Sequence, residues 1–188
     1  MNVTVAKSSG FCSGVQHAVD TAMRVEPENV YLLGELIHNP SVTDAVRARG
    51  IITVESVDEV PQGATLILRS HGVGRLVYEA CTQKGIRIID CTCPFVRHTQ
   101  EIVRNSTSIG KTVLVIGEKT HPEVIGLCGW GNGRVLVLED ENADLSSLLG
   151  QKIVVVAQTT CSEEKFKKIL QNIKKVCGKT VEIFKTIC

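Results

Sequence analysis

Val113-Leu114-Val115-Ile116-Gly117-Glu118-Lys119-Thr120-His121-Pro122-Glu123-Val124 is the stretch that decides the fold. Four consecutive apolar, mostly β-branched residues read as a strand buried on both faces, the kind found in parallel sheets. Glycine ends the run, and proline stands where the first turn of a helix tolerates it. The same order occurs earlier in the chain. Val30-Tyr31-Leu32-Leu33 leads into Gly34-Glu35-Leu36-Ile37-His38-Asn39-Pro40-Ser41-Val42. Both stretches read strand, Gly-Glu, two residues, His, then Pro and a helix start. Self-similarity at domain-sized spacing marks a repeated architecture.

Other features recur around these two. Leu66-Ile67-Leu68-Arg69 runs into Ser70-His71-Gly72, and Ile153-Val154-Val155-Val156-Ala157 runs into Gln158-Thr159-Thr160. Cys12 follows Val3-Thr4-Val5-Ala6, Cys93 follows Ile86-Arg87-Ile88-Ile89, and Cys188 follows Val181-Glu182-Ile183-Phe184. Strands alternating with helical patterns predict an α/β protein of two repeated parallel-sheet βαβ units. The expected boundaries are 1–85 and 86–180, with a third unit opening at 181 and running to its cysteine at 188. Val15, Val19 and Ala22 predict a helix after Cys12. Ser162 is a candidate N-cap with Glu163 and Glu164 in the first turn. Phe166, Ile169, Leu170, Ile173, Val176 and Cys177 then form one apolar stripe. The lysines at 165, 167, 168, 174 and 175 read as its solvated face.

Composition narrows the class. The chain has 188 residues, 43% hydrophobic and 22% charged, the balance of a soluble globular protein. A net charge of +1 without a basic, aromatic-studded stripe argues against nucleic-acid binding. The apolar runs are too short to cross a bilayer, and the N-terminus lacks a signal-peptide core, so a cytoplasmic location is expected. Eight cysteines there point to free thiols or metal ligands rather than disulfides.

Ligand sites in parallel sheets lie at the carboxyl ends of strands, and Cys12, His38, His71, Cys93, His121, Thr159 and Cys188 all fall there. A single cysteine is usually a small buried hydrophobe. Repetition at equivalent places favours three thiolates meeting at one point, and a helix N-terminus favours the thiolate. Cys81 and Cys177 read as core residues, and Cys91-Thr92-Cys93 as a weak two-thiol clip. His38, His71 and His121 together favour anion binding or proton handling over structure. His17 and His98 read as surface residues. Glu35 and Glu118 recur in both units and read as structural. Glu123 occurs once: aligned on the proline, the first unit has Ser41 in its place. An acid present in one repeat alone suits asymmetric chemistry, with a solvated helix-start carboxylate as the equal alternative. Thr159 and Thr160 either cap a helix or hold an oxyanion. Trp130, among glycines, reads as a packing anchor.

Taken together, Gly10-Phe11-Cys12-Ser13-Gly14-Val15, Glu35 to Asn39, Ser70-His71-Gly72-Val73, Thr92-Cys93-Pro94, His121-Pro122-Glu123-Val124 and Gln158-Thr159-Thr160 resemble the 4-hydroxy-3-methylbut-2-enyl diphosphate reductase family of the non-mevalonate isoprenoid pathway. The resemblance runs in register along the whole chain. It implies a three-unit pseudo-symmetric fold around a 4Fe–4S cluster, ligated here by Cys12, Cys93 and Cys188. It implies that His38, His71 and His121 bind the diphosphate, that Glu123 delivers a proton, and that Thr159 and Thr160 line the substrate pocket. The implied reaction is a two-electron reductive removal of the allylic hydroxyl, giving isopentenyl and dimethylallyl diphosphates. Ferredoxin or flavodoxin would donate the electrons.

The family continues past the third cysteine, with further diphosphate contacts in its third unit. Of that unit only 181–188 is present here, so a labile cluster and weak or absent catalysis are expected unless a further chain or domain completes the site. Two other readings stay open: a folded, non-catalytic fragment without a cluster, and a zinc or thiol-redox module built on Cys12, Cys91 and Cys93.

Overall fold

A computed structural model describes residues 3, 4, 6, 9–178 and 181–188. Two four-stranded parallel sheets carry the fold. The first contains β1 (Val30–Leu33), β2 (Ile52–Val54), β3 (Thr65–Leu68) and β4 (Arg87–Asp90), in the order β2-β1-β3-β4. The second contains β5 (Thr112–Ile116), β6 (Val135–Leu138), β7 (Ile153–Ala157) and β8 (Val181–Ile183), in the order β6-β5-β7-β8. The two orders are the same, so the sequence repeat is a repeat of topology. Pairing is parallel throughout, with β3 registered on β1 from Val30↔Thr65 to Leu33↔Leu68, and β7 on β5 from Thr112↔Ile153 to Ile116↔Ala157.

Among the described residues six α-helices complete the units: α1 (Ser13–Arg24), α2 (Pro40–Ala48), α3 (Arg75–Gln83), α4 (Pro94–Ser108), α5 (Pro122–Cys128) and α6 (Glu163–Cys177). The predicted starts hold. Pro40, Pro94 and Pro122 sit in first turns, and Ser162 Oγ accepts from Lys165 N. Each sheet is apolar on both faces. Ala18, Ala22, Val42 and Val46 cover one face of the first sheet, and the other packs on Val57, Val60 and Cys81. Phe166, Ile169 and Ile173 cover one face of the second, and Ile102, Val103, Val124 and Leu127 the other. Every residue of β5 and β7 is buried, as two-sided coverage requires.

The strands before Cys93 and Cys188 differ from expectation. β4 pairs with β3 and β8 with β7, so each closes the preceding sheet instead of opening the next unit. Boundaries at 85/86 and 180/181 would strip each sheet of a hydrogen-bonded strand and leave β3 and β7 as bare edges. Of the strand expected before Cys12, Val5 lies outside the described residues, and Val3, Thr4 and Ala6 belong to no strand.

The units meet where the β3–α3 loop docks on α4 and α5. Val73 O accepts from Trp130 Nε1 at 2.9 Å and from Gln100 Nε2 at 3.3 Å. The backbones of Gly74 and Gly129 touch so closely that a Cβ on Gly129 would stand 2.6 Å from Gly74 Cα. Gly72 adopts φ +70°, and a Cβ there would run into the Gln100 amide. Trp130 is the anchor of this seam, with Tyr78 5.8 Å away, ring to ring, and the Arg104 guanidinium over its face.

Candidate active site

The seam brings three loops together at the carboxyl ends of β1, β3 and β5. Ser70 ties two of them: its N–H and its hydroxyl both donate to Leu36 O, at 3.2 and 3.1 Å. Three histidine rings result. His38 and His71 have centroids 4.4 Å apart, and His121 lies 5.6 and 5.5 Å from them, edge-on. One ring nitrogen from each falls within 4.8 Å of the other two, a tripod able to close on one small ion. Glu123 N donates to His121 Nδ1 at 3.2 Å, which leaves that nitrogen unprotonated and turns Nε2–H outward as a donor. Glu35 Oε2 lies 3.4 Å from His38 Nδ1, so Glu35 serves the site as well as the turn.

Burial pushes the His71 ring down to about 4, helped by His38, His121 and the Arg69 guanidinium. Burial and His38 also lower His121, with Arg69 adding to the effect against the pull of Glu118. Burial therefore disfavours the charged form of His71 and of His121, and an anion bound there would hold their protons.

Glu123 is no solvated carboxylate. Only 1% exposed, it accepts from Thr159 N at 2.7 Å and from Thr159 Oγ1 at 2.6 Å. Burial raises its pKa, and the two Thr159 donors oppose that. Thr159 thus caps no helix. Thr160 accepts from Gln158 Nε2 at 2.7 Å, while Gln158 Oε1 accepts from Glu118 N at 3.0 Å. Sequence reading gave Gln158 no role, although a lone amide at a buried strand end was its signal.

The cysteines divide. Cys12 and Cys93 are the N-caps of α1 and α4, and neither thiol makes a capping bond. The Cys93 sulfur lies against the first turn of α1, because a Cβ on Gly14 would stand 2.5 Å from it. Cys93 N donates to Ser70 O at 2.9 Å, next to His71. Cys188 N donates to Thr159 O at 2.9 Å, next to Glu123. All three are free and at least partly accessible. Their sulfurs do not form a close metal-binding triad among the described residues. The Cys91–Cys93 clip fails: Cys91 is fully buried in the first core, where burial, with the Asp90 charge, raises its thiol to about 11. Residues i and i+2 of a strand share a face, but β4 ends at Asp90 and Cys93 is already the N-cap of α4, so the two thiols part at the turn between them. Cys81 is buried, Cys177 packs against the second core, and His17 and His98 are exposed, as predicted.

Twin parallel α/β sheets, a histidine tripod, a buried carboxyl and the free thiols of Cys12 and Cys93 at helix N-termini define an enzyme-like centre assembled between repeats. The chain belongs to the LytB protein family, which it matches over residues 3–188. It is 39% identical to a 4-hydroxy-3-methylbut-2-enyl diphosphate reductase of Thermoanaerobacter sp. (strain X514), over 100% of this chain and 67% of that protein. It is 37% identical to the Aquifex aeolicus reductase, over 100% of this chain and 66% of that one. The solved Plasmodium falciparum reductase superposes with a TM-score of 0.87 at 28% identity, covering 97% of this chain and 59% of that chain. A second structure, of the terminal enzyme of the non-mevalonate pathway, gives 0.81 at 36%, covering 99% and 68%. The chain thus spans about two thirds of its relatives' length. Among the described residues no helix is long and apolar enough to cross a membrane.

Proposed function

We propose that this chain carries the catalytic half-shell of a 4-hydroxy-3-methylbut-2-enyl diphosphate reductase, and that it acts in the cytoplasm with a ferredoxin or flavodoxin as electron donor. The observation that supports this best is Glu123: a buried carboxyl bonded twice to Thr159, one residue pair from the histidine tripod. His38, His71 and His121 receive the substrate diphosphate, each ring donating N–H to a phosphate oxygen. Thr159 and Thr160 bound the pocket for the allylic alcohol. Reductive dehydroxylation takes two electrons and two protons, breaks the carbon–oxygen bond and releases water. Glu123 holds one of those protons, because burial favours its neutral form, and Thr159 Oγ1 is the hydroxyl through which it passes toward the departing oxygen.

Cys12, Cys93 and Cys188 would hold a 4Fe–4S cluster. Free thiols at two helix N-termini and one strand end are the donor set it takes, and their sulfurs need not touch one another to ligate different irons. When bound, the cluster supplies the electrons and a Lewis-acidic iron for the substrate oxygen. A further domain or chain closes the remaining side of the site.

The test is anaerobic purification and reconstitution, followed by iron, acid-labile sulfide and zinc analysis with an absorption spectrum. About four iron and four sulfide per chain with no zinc, falling on Cys93→Ser, are expected. An iron-free chain after reconstitution leaves a folded, non-catalytic remnant. Zinc alone makes it a thiol–zinc module.

A further inference from the structure

The repeat exposes one residue that the reductase reading does not use. Arg69 and Gln158 occupy equivalent positions, directly after β3 and β7, and begin the same turn: Gly72 N donates to Arg69 O at 3.0 Å and Cys161 N to Gln158 O at 2.9 Å. Both side chains pack on the turn glycine of their own unit. A Cβ on Gly34 would stand 2.6 Å from Arg69 Nη1, and one on Gly117 would stand 2.9 Å from Gln158 Cβ and Oε1. In the second unit a neutral amide fills this place, and both its ends are bonded. In the first unit the place is held by a guanidinium. Its Nε is buried and has no hydrogen-bond partner among the described residues. Packing alone does not require a charge here, since glutamine does the equivalent packing in the same molecule.

Arg69 stands two residues before His71, and its guanidinium packs on Gly34 at the end of β1, the strand that leads to His38; its charge lowers both His71 and His121. The carboxylate that acts on Arg69 is Glu55, which is exposed. Glu118 faces His121 and Glu35 faces His38. A diphosphate brings several negative charges to a site where burial disfavours the charged forms of His71 and His121. A permanently protonated guanidinium supplies what they lack at any physiological pH.

We propose that Arg69 is the fixed cation of the anion site, a positioning residue that holds a diphosphate on the histidine tripod. This rests on reading the tripod as a diphosphate site. Removing the fixed charge leaves binding dependent on ring protonation, and the rings then take up protons more readily because the repulsion is gone. The loss is therefore large at high pH and small at low pH.

The experiment is calorimetric titration of the full chain with inorganic pyrophosphate at about pH 6 and pH 8, for wild type, Arg69→Gln and Arg69→Lys, each checked for fold by circular dichroism. Arg69→Gln copies the residue that the second unit already tolerates. It is expected to weaken binding about tenfold at pH 8 and about threefold or less at pH 6. Arg69→Lys is expected to recover most of the pH 8 loss. Equal affinity of wild type and Arg69→Gln at pH 8, or the same loss at both pH values, overturns the proposal. Wild-type binding that vanishes entirely at pH 8 overturns it without any variant. Failure of the wild type to bind pyrophosphate at either pH overturns the diphosphate reading itself, and the role of Arg69 with it.

Discussion

Thr159→Val isolates the buried carboxyl. Valine matches threonine in volume, so the change removes a hydroxyl without opening a cavity. What is lost is the 2.6 Å bond from Thr159 Oγ1 to Glu123 Oε2; the Thr159 N–H bond to Oε1 survives. A hydrogen bond to a charged acceptor contributes about 1.5–3 kcal/mol, and one to a neutral acceptor about 1 kcal/mol. Burial raises the Glu123 pKa, and losing a donor raises it further. The carboxyl thus takes up its proton at a higher pH than a free glutamate, and in the variant at a higher pH still. Urea unfolding should show Thr159→Val less stable than wild type by ~2 kcal/mol at about pH 8, and by ~1 kcal/mol or less near pH 5. The variant's stability should therefore fall as pH rises through the window above 4.5. A loss that is the same at both pH values would show that the hydroxyl does not serve an ionised Glu123, and the proton-holding role would go with it.

The His71 ring, about 4 folded against 6.5 free, makes the unfolded chain bind its proton first. Stability should drop as pH falls from about 6.5 toward 4, by ~2 kcal/mol after allowing for the ring's partial exposure, and His71→Gln should flatten the profile of melting temperature against pH. Gly14→Ala should push the Cys93 thiol off α1 and lower iron retained after reconstitution, while leaving thermal stability near wild type because alanine suits a helix; unchanged iron content would refute the placement of that thiol. Gly72→Ala should cost ~1–2 kcal/mol in urea unfolding from its left-handed backbone alone, and more if the Gln100 amide cannot yield.

Much of this was legible in the sequence, for identifiable reasons. The strand–Gly-Glu–His–Pro order is local chemistry, and it placed β1, β5, α2 and α5 correctly. The rule that parallel strands present ligand residues at their carboxyl ends gathered His38, His71, His121 and Thr159 before any coordinates did. What failed was pairing. Residues 87–90 read as a strand equally well on either side of a unit boundary, and only the ladder to β3 decides. Depth also failed: Glu123 could as well have been a solvated helix-start acid, because nothing nearby in sequence announces that Thr159 will cover it from 36 residues away. Cys91 was not separable from Cys93 by alternation, which puts i and i+2 on one face; only the turn from β4 into α4 parts them. Arg69 and Gln158 matter through their contacts with Gly34 and Gly117, which the repeat hinted at and only packing shows.

The shared strand order of the two sheets has a consequence for how such a centre can be unsymmetrical. Matched sheets supply matched scaffolding, and separate copies of one unit would be bound to carry matched residues too. Joined in one polypeptide, the two copies drift independently. Ser41 stands where the other unit has Glu123, and Arg69 where it has Gln158. One side of the hollow thereby acquires the acid and the other the permanent cation, giving a lopsided field inside an even-handed frame.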